Sequence, residues 1–205
     1  MRITGGINRG RVLKMPSAGV VRPTQDSVRE ALFSMLRELV PDSVFLDLFA
    51  GTGAVGLDAK SRGAAEVIWV EHDKRVAAVL EQNIKTICGS MDGAQLVRAD
   101  AMQWLARPSY RKRYITIGYA DPPYTTEEKS DGIDELLAAV AKSELMIERG
   151  VFVVEQRLGS PMPLLPAGWE LISERKYGKT RLCLLRVKYG ADEPKEEEMT
   201  ASEEA

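Results

Sequence analysis

Two short stretches of the chain carry residue types that could do chemistry. The first is Leu46-Asp47-Leu48-Phe49-Ala50-Gly51-Thr52-Gly53-Ala54-Val55-Gly56, which holds a G-x-G-x-x-G run, with Glu71 twenty positions after Gly51. Glycines at a strand-to-helix turn let the backbone approach a ligand closely, and an acid ending the next strand can accept the hydroxyl protons of a ribose. Glu71 suits that role, with Asp73 as the alternative. Helix–strand packing also selects glycine, so the spacing alone names no ligand. Asp47 narrows the choice. A dinucleotide loop offers backbone N–H groups to a pyrophosphate, and a carboxylate four residues before Gly51 would repel that anion. It would attract a cation such as the α-ammonium of S-adenosylmethionine, directly or through water. Its other reading is a turn-forming acid bonded to loop amides.

The second stretch is Asp121-Pro122-Pro123-Tyr124, directly after an apolar run ending at Ala120. A helix cap followed by first-turn prolines would look the same. As chemistry, the set suits an exocyclic base amine, whose lone pair is delocalised into the ring. Hydrogen bonds from its two N–H groups to the Asp121 carboxylate and the Pro122 carbonyl would favour pyramidal nitrogen and expose the lone pair. Pro122 and Pro123 stiffen the backbone that aims these acceptors, and Tyr124 would stack on a base drawn out of its helix. Methyl transfer to such an amine is an in-line displacement needing positioning and no strong base. No metal is implied.

Both stretches must sit at one edge of a sheet, and the apolar rhythm supplies that sheet. Runs at 44–49, 66–71, 94–99, 114–120 and 150–156 read as strands apolar on both faces, as in a parallel sheet. Helical patterns fall between them at 54–62, 73–87, 101–107 and 132–143. A leading amphipathic helix spans 24–39, with Thr24 as its cap or Ser27 and Glu30 as a capping box. Alternation of this kind specifies a doubly wound α/β domain. Residues 157–168 contain three prolines and cannot hold a crossover helix. Stretches 169–176 and 180–188, around Tyr177-Gly178-Lys179, then predict a terminal antiparallel hairpin. The expectation is a mostly parallel seven-stranded sheet ending in that hairpin, which suits a class I methyltransferase better than a dinucleotide-binding oxidoreductase.

The net charge of −2 conceals an asymmetry: seven acids against Lys195 in residues 191–205 leave +4 on residues 1–190. Residues 1–22 hold Arg2, Arg9, Arg11, Lys14 and Arg22 and no acid. The expected segments are a basic hairpin or arm over 1–22, a catalytic domain over 23–190 and a disordered acidic tail over 191–205. An acid-free basic arm suits a polyanion such as nucleic acid, and a solvated surface hairpin is the plain alternative. Cys88 and Cys183 form no C-x-x-C pair, no apolar run approaches a membrane span and no secretory h-region opens the chain, so a cytoplasmic protein is expected. The single histidine, His72, argues against a His-rich zinc site.

LDLFAGTGAVGLDA, VEHD, RADAMQWL and ADPPY resemble the ordered motifs of amino-group S-adenosylmethionine-dependent methyltransferases. RITGGINRGRVLKMP, VRPTQDSVREALFSML and ERKYGKTRLCLLR narrow the resemblance to the RsmD-type family, bacterial methyltransferases of guanine N2 in small-subunit (16S) ribosomal RNA. It covers roughly residues 1–188; its mild departure is the proline-rich 157–168 connection. The resemblance implies that Asp47, Phe49, Gly51 and Gly53 line the methionine end of S-adenosylmethionine. It further implies that Glu71 holds the ribose with His72 beside the adenosine, that Asp100 and Ala101 approach the adenine, and that Thr24 and Arg29 contact the cofactor carboxylate. The basic hairpin would face ribosomal RNA, free or in its particle. Other readings are an adenine-N6 methyltransferase with the same Asp-Pro-Pro-Tyr site, a nicotinamide oxidoreductase, and a non-catalytic RNA-binding module. The sequence does not fix the oligomeric state; a monomer is the expectation.

Overall fold

The computed structural model describes residues 1–16, 25–107, 113–123 and 132–189. The expectations for Arg22, Thr24, Tyr124 and the acidic tail fall outside these residues. Seven strands form one sheet: β1 (Val44–Leu48), β2 (Glu66–Glu71), β3 (Ala94–Arg98), β4 (Ile115–Ala120), β5 (Met146–Arg157), β6 (Glu170–Tyr177) and β7 (Thr180–Arg186). Their order is β3-β2-β1-β4-β5-β7-β6. The first five pair in parallel, whereas β7 runs antiparallel to both β5 and β6. The expected sheet and terminal hairpin are therefore observed.

The leading helix α1 (Asp26–Met35), α2 (Ala54–Ser61) and α3 (Lys74–Cys88) cover one face, while α4 (Ala101–Leu105) and α5 (Ile133–Ser143) cover the other. Strand alternation assigns the faces: Phe45 joins the core under α1–α3, and Leu46 and Leu48 join the core under α4 and α5. In α3 the stripe Val76, Leu80, Ile84 and Ile87 is buried, and Asp73 caps its first turn by accepting from the Arg75 and Val76 amides at 2.7 and 3.0 Å.

Two local expectations are corrected. Regular α1 ends at Met35, and its N-cap is Gln25, without a side-chain bond, so the Ser27–Glu30 capping box does not form. Strand β5 begins at Met146 rather than near 150, because its pairing with β4 shifts register between Ile115 and Ile117. Of the two forms expected for the basic segment, its described part, residues 1–16, takes the hairpin. An Arg2–Val12 bridge closes it into a hairpin, and Ile3 and Leu13, at 1% and 2% exposure, are part of the α1–α3 core.

Candidate active site

The chain runs from β1 outward to β2 and β3, then returns across β1 to start β4, so the sheet's switch point lies between β1 and β4. In open α/β sheets ligands bind outside the carboxyl ends of the strands at such a point. Register aligns those ends: Leu48 faces Val70 and Ala120, and Glu71 faces Arg98. Immediately beyond them come Asp100 after β3, Glu71 on β2, Phe49–Gly53 after β1 and Asp121 after β4. Three inter-strand steps of ~4.8 Å spread this row over ~14 Å, a span for an elongated ligand.

The turn after β1 is held in an uncommon shape. Phe49 adopts φ 62°, a left-handed conformation that costs a non-glycine residue about 1–3 kcal/mol. The Ala50 amide donates to the Val70 carbonyl at 3.0 Å and the Gly51 amide to Glu71 Oε2 at 2.8 Å. Glu71 Oε1 accepts from the Asp73 amide at 2.7 Å, so the 6%-exposed carboxylate is fixed in place while each oxygen keeps capacity for another donor. Asp73 caps α3 through Oδ1, and Glu71, held on both oxygens at the end of β2, is the better placed of the two ribose candidates. His72 is exposed, with Nδ1 3.4 Å from Glu71 Oε1.

Gly53 and Gly56 have distinct reasons to be glycine. A Cβ on Gly53 (φ 78°) would lie 2.1 Å from Leu80 Cδ1, and one on Gly56 would lie 2.2 Å from Trp69 Nε1. The third glycine of the motif thus serves packing of α2 on the sheet. Asp47 Oδ2 accepts from the Gly56 amide at 2.9 Å and so caps α2, whose N-cap residue, Gly53, has no side chain to do it. The reading of Asp47 as an acid bonded to loop amides is observed, and a carboxylate has further acceptor capacity beyond this amide. Burial pushes its carboxyl up to about 7, against the Gly56 hydrogen bond and with added repulsion from Glu71. An acid at 1% exposure with this poise is suited to a cationic partner.

Beyond β4, Asp121 is half-buried, Pro122 buried and Pro123 exposed. Asp100 caps α4 by accepting from the Gln103 amide at 2.9 Å, and Ala101 is buried beside it. The methionine, ribose, adenine and amine candidates therefore share one edge. Arg29 stands apart: it is buried, 2.7 Å from Asp26 and 3.2 Å from Asp58, and donates to the Arg2 carbonyl at 2.7 Å. Asp58 also accepts from the Thr4 amide and hydroxyl and from Arg62, making it the post that ties the N-terminal hairpin to α1 and α2.

Residues 1–186 match the family model described as conserved hypothetical protein 95. The chain belongs to that family, the RsmD type. Ribosomal RNA small subunit methyltransferase D of Escherichia coli K12 is 33% identical over 179 residues, covering 87% of this chain and 86% of that protein. The solved Escherichia coli protein yhhF superposes with a TM-score of 0.81 at 30% identity, covering 93% of this chain and 99% of that one. SMU.776, a protein solved in complex with SAH, has a TM-score of 0.66 at 17% identity over 82% of this chain and 50% of that one, a likeness of fold.

Within this RsmD-type chain the basic residues divide by their partners. Arg2, Arg9, Arg11 and Lys14 are all exposed, and Lys14 Nζ lies 3.2 Å from Gln82 Oε1. The Arg11 guanidinium is engaged, donating to the Thr86 and Ile87 carbonyls at the end of α3. Sequence reasoning missed Asn83, buried on α3, which accepts from the Lys14 amide and donates to the Thr52 carbonyl, linking hairpin and glycine loop. A polar residue three positions after Leu80 on an apolar stripe was the available signal. Among the described residues no helix could cross a membrane and no group of three or more His, Cys, Asp and Glu could hold a metal.

Proposed function

We propose that this chain methylates the exocyclic N2 amine of a guanine in small-subunit ribosomal RNA, with S-adenosylmethionine as donor. The observation that carries the reading is the shared edge on which buried Asp47 and the glycine turn stand beside Asp121-Pro122-Pro123. Relatives named as ribosomal RNA small subunit methyltransferase D, and a fold neighbour solved with SAH, support it.

The residues fit the donor. Asp47, acidic and buried, would meet the α-ammonium; Phe49, Gly51 and Gly53 would wrap the methionine end; Glu71 would accept from the ribose hydroxyls, with His72 alongside. Asp100 and Ala101 would border the adenine. Arg29, already paired with Asp58, would act through the placement of α1, and Thr24 would contact the cofactor carboxylate. When bound, S-adenosylmethionine supplies a methyl group on a positively charged sulfur. Asp121 and the Pro122 carbonyl would hold the two amine protons and turn the nitrogen lone pair outward, Pro123 would stiffen their backbone, and Tyr124 would stack on the base. Their contribution is orientation and stabilisation of the positive charge that develops on nitrogen.

Arg2, Arg9 and Lys14 on the docked hairpin, and Arg22 after it in sequence, would meet phosphates of the RNA or its particle, with Arg11 adding charge at the surface. The enzyme would work in the cytoplasm as a monomer, without a metal. Incubation with methyl-labelled S-adenosylmethionine and unmodified small-subunit particles tests the reading. Label in the RNA is expected from the intact chain and not from Asp121→Ala. No transfer by the intact chain, or tight binding of NAD without a response to S-adenosylmethionine, would overturn it.

A further inference from the structure

The tip of the N-terminal hairpin is pinned to the end of α2. The Ile7 amide donates to the Ser61 carbonyl at 2.8 Å and the Asn8 amide to Ser61 Oγ at 2.9 Å, and Ser61 Oγ in turn donates to the Gly5 carbonyl at 2.6 Å. Gly6 (φ 75°) allows this approach, since a Cβ there would lie 1.8 Å from the Ser61 carbonyl oxygen. The backbone is thus held while the Ile7 side chain stands free. At 90% exposure it is the most exposed large apolar side chain among the described residues. Val12, 70% exposed, is the second apolar group of this surface. It is bridged to Arg2, so both side chains leave the outer face, while their neighbours Ile3 and Leu13 enter the core.

A single exposed aliphatic residue needs no explanation. Two on one anchored hairpin, among exposed Arg2, Arg9, Arg11 and Lys14 and with no acid in residues 1–22, form a surface that is apolar and cationic at once. The charge selects a polyanion. Phosphates answer the cations but offer nothing to Ile7 and Val12. The apolar faces of nucleobases do, and aliphatic side chains serve as wedges against them in proteins that bind nucleic acid. The hairpin also follows α2 from end to end. Through Asn83 the Lys14 backbone is tied to Thr52 in the glycine turn. Ile7 sits at Ser61, the far end of that eight-residue helix, which is ~12 Å long at 1.5 Å per residue.

We propose that Ile7 and Val12 pack on base faces of the substrate RNA outside the catalytic edge, adding to the phosphate contacts a grip that salt does not screen. The proposal rests on the RNA-methyltransferase reading above and extends the RNA footprint down the hairpin to its tip. These two residues serve docking, so they set RNA affinity and KM and leave kcat alone.

The test measures binding of the full chain to protein-free small-subunit RNA and to small-subunit particles over a range of salt, with methylation kinetics alongside. Ile7→Ser should lose roughly tenfold in affinity at every salt concentration, the lower end of what full burial of such a side chain yields. The slope of log affinity against log salt should not change, because no phosphate contact is removed. KM for RNA should rise by the same factor with kcat unaltered. Adding Val12→Ser should deepen the loss by roughly threefold or more. Ile7→Leu, which keeps the apolar bulk, should keep the intact affinity. Equal RNA affinity in Ile7→Ser and the intact chain would overturn the proposal, as would a flattened slope. A loss confined to particles would also overturn it, by giving the contact to a ribosomal protein. An intact chain that binds neither RNA nor particles would overturn the underlying reading, and this proposal with it.

Discussion

Replacing Asp47 by Asn should make the protein more stable at pH 8 while removing its grip on the cofactor. The carboxyl rises from 3.8 to about 7 on folding, chiefly because burial penalises its charge. An acid with a raised folded pKa contributes stability that is fully present below about pH 3.8 and is lost as pH climbs to 7. At ~1.4 kcal/mol per unit, that loss amounts to about 4 kcal/mol above pH 7 and to about 1.5 kcal/mol at pH 5. An Asn side chain carries no such charge, and its oxygen can still accept from the Gly56 amide. Its new N–H₂ group costs about 1–3 kcal/mol if left without a partner, equally at both pH values. Hence Asp47→Asn should gain 2–3 kcal/mol relative to the intact chain between pH 5 and pH 8, whatever the amide costs. Denaturant unfolding of both proteins at the two pH values reads this difference. Parallel stability–pH curves would refute the argument that Asp47 is a charge held in readiness. Calorimetry on the same pair should show S-adenosylmethionine affinity strengthening as pH rises toward 7 in the intact chain, and weak at every pH in the variant.

Other outcomes follow from the same geometry. Asp121→Ala should lower the transfer rate by roughly 10²–10³ with cofactor affinity unchanged, as expected for loss of one preorganised acceptor; single-turnover rates and calorimetry check it. Tyr124→Phe should retain most activity and Tyr124→Ala should lose it, since stacking needs the ring. Gly56→Ala should destabilise the fold by about 1–3 kcal/mol, because its Cβ would fall 2.2 Å from Trp69 Nε1, measurable by denaturant unfolding. Changing Arg2, Arg9 and Lys14 together to alanine should reduce the slope of log RNA affinity against log salt by about 2, at ~0.7 per phosphate contact, and leave cofactor binding intact. Arg11 is omitted from that set because its guanidinium holds the end of α3.

The sheet and the row of candidate residues at its edge were legible because they depend on local pattern. Apolar runs mark buried strands, and each chemical residue follows the end of one. What the sequence withheld depends on partners distant along the chain. Thr4 and Asp58 are 54 residues apart, and Arg11 reaches a carbonyl 76 residues away, so the docking of the expected hairpin or arm, with one arginine's guanidinium engaged by α3, left no mark in its charge. Asp47 looked like either a ligand residue or a turn acid; only the backbone bend at Gly53 shows that it caps α2. For Gly56 the spacing left ligand approach and helix–strand packing both open, and the indole of Trp69 decides for packing. The early start of β5 was hidden by a register shift, which leaves no mark in an apolar run.

The most direct test of the account is the identity of the methylated nucleoside. Small-subunit particles purified from cells lacking this enzyme would be incubated with the intact chain and methyl-labelled S-adenosylmethionine, and the RNA digested and separated by mass. The account requires the label in N2-methylguanosine, abolished by Asp121→Ala. Label in N6-methyladenosine, or none in the RNA, would contradict it.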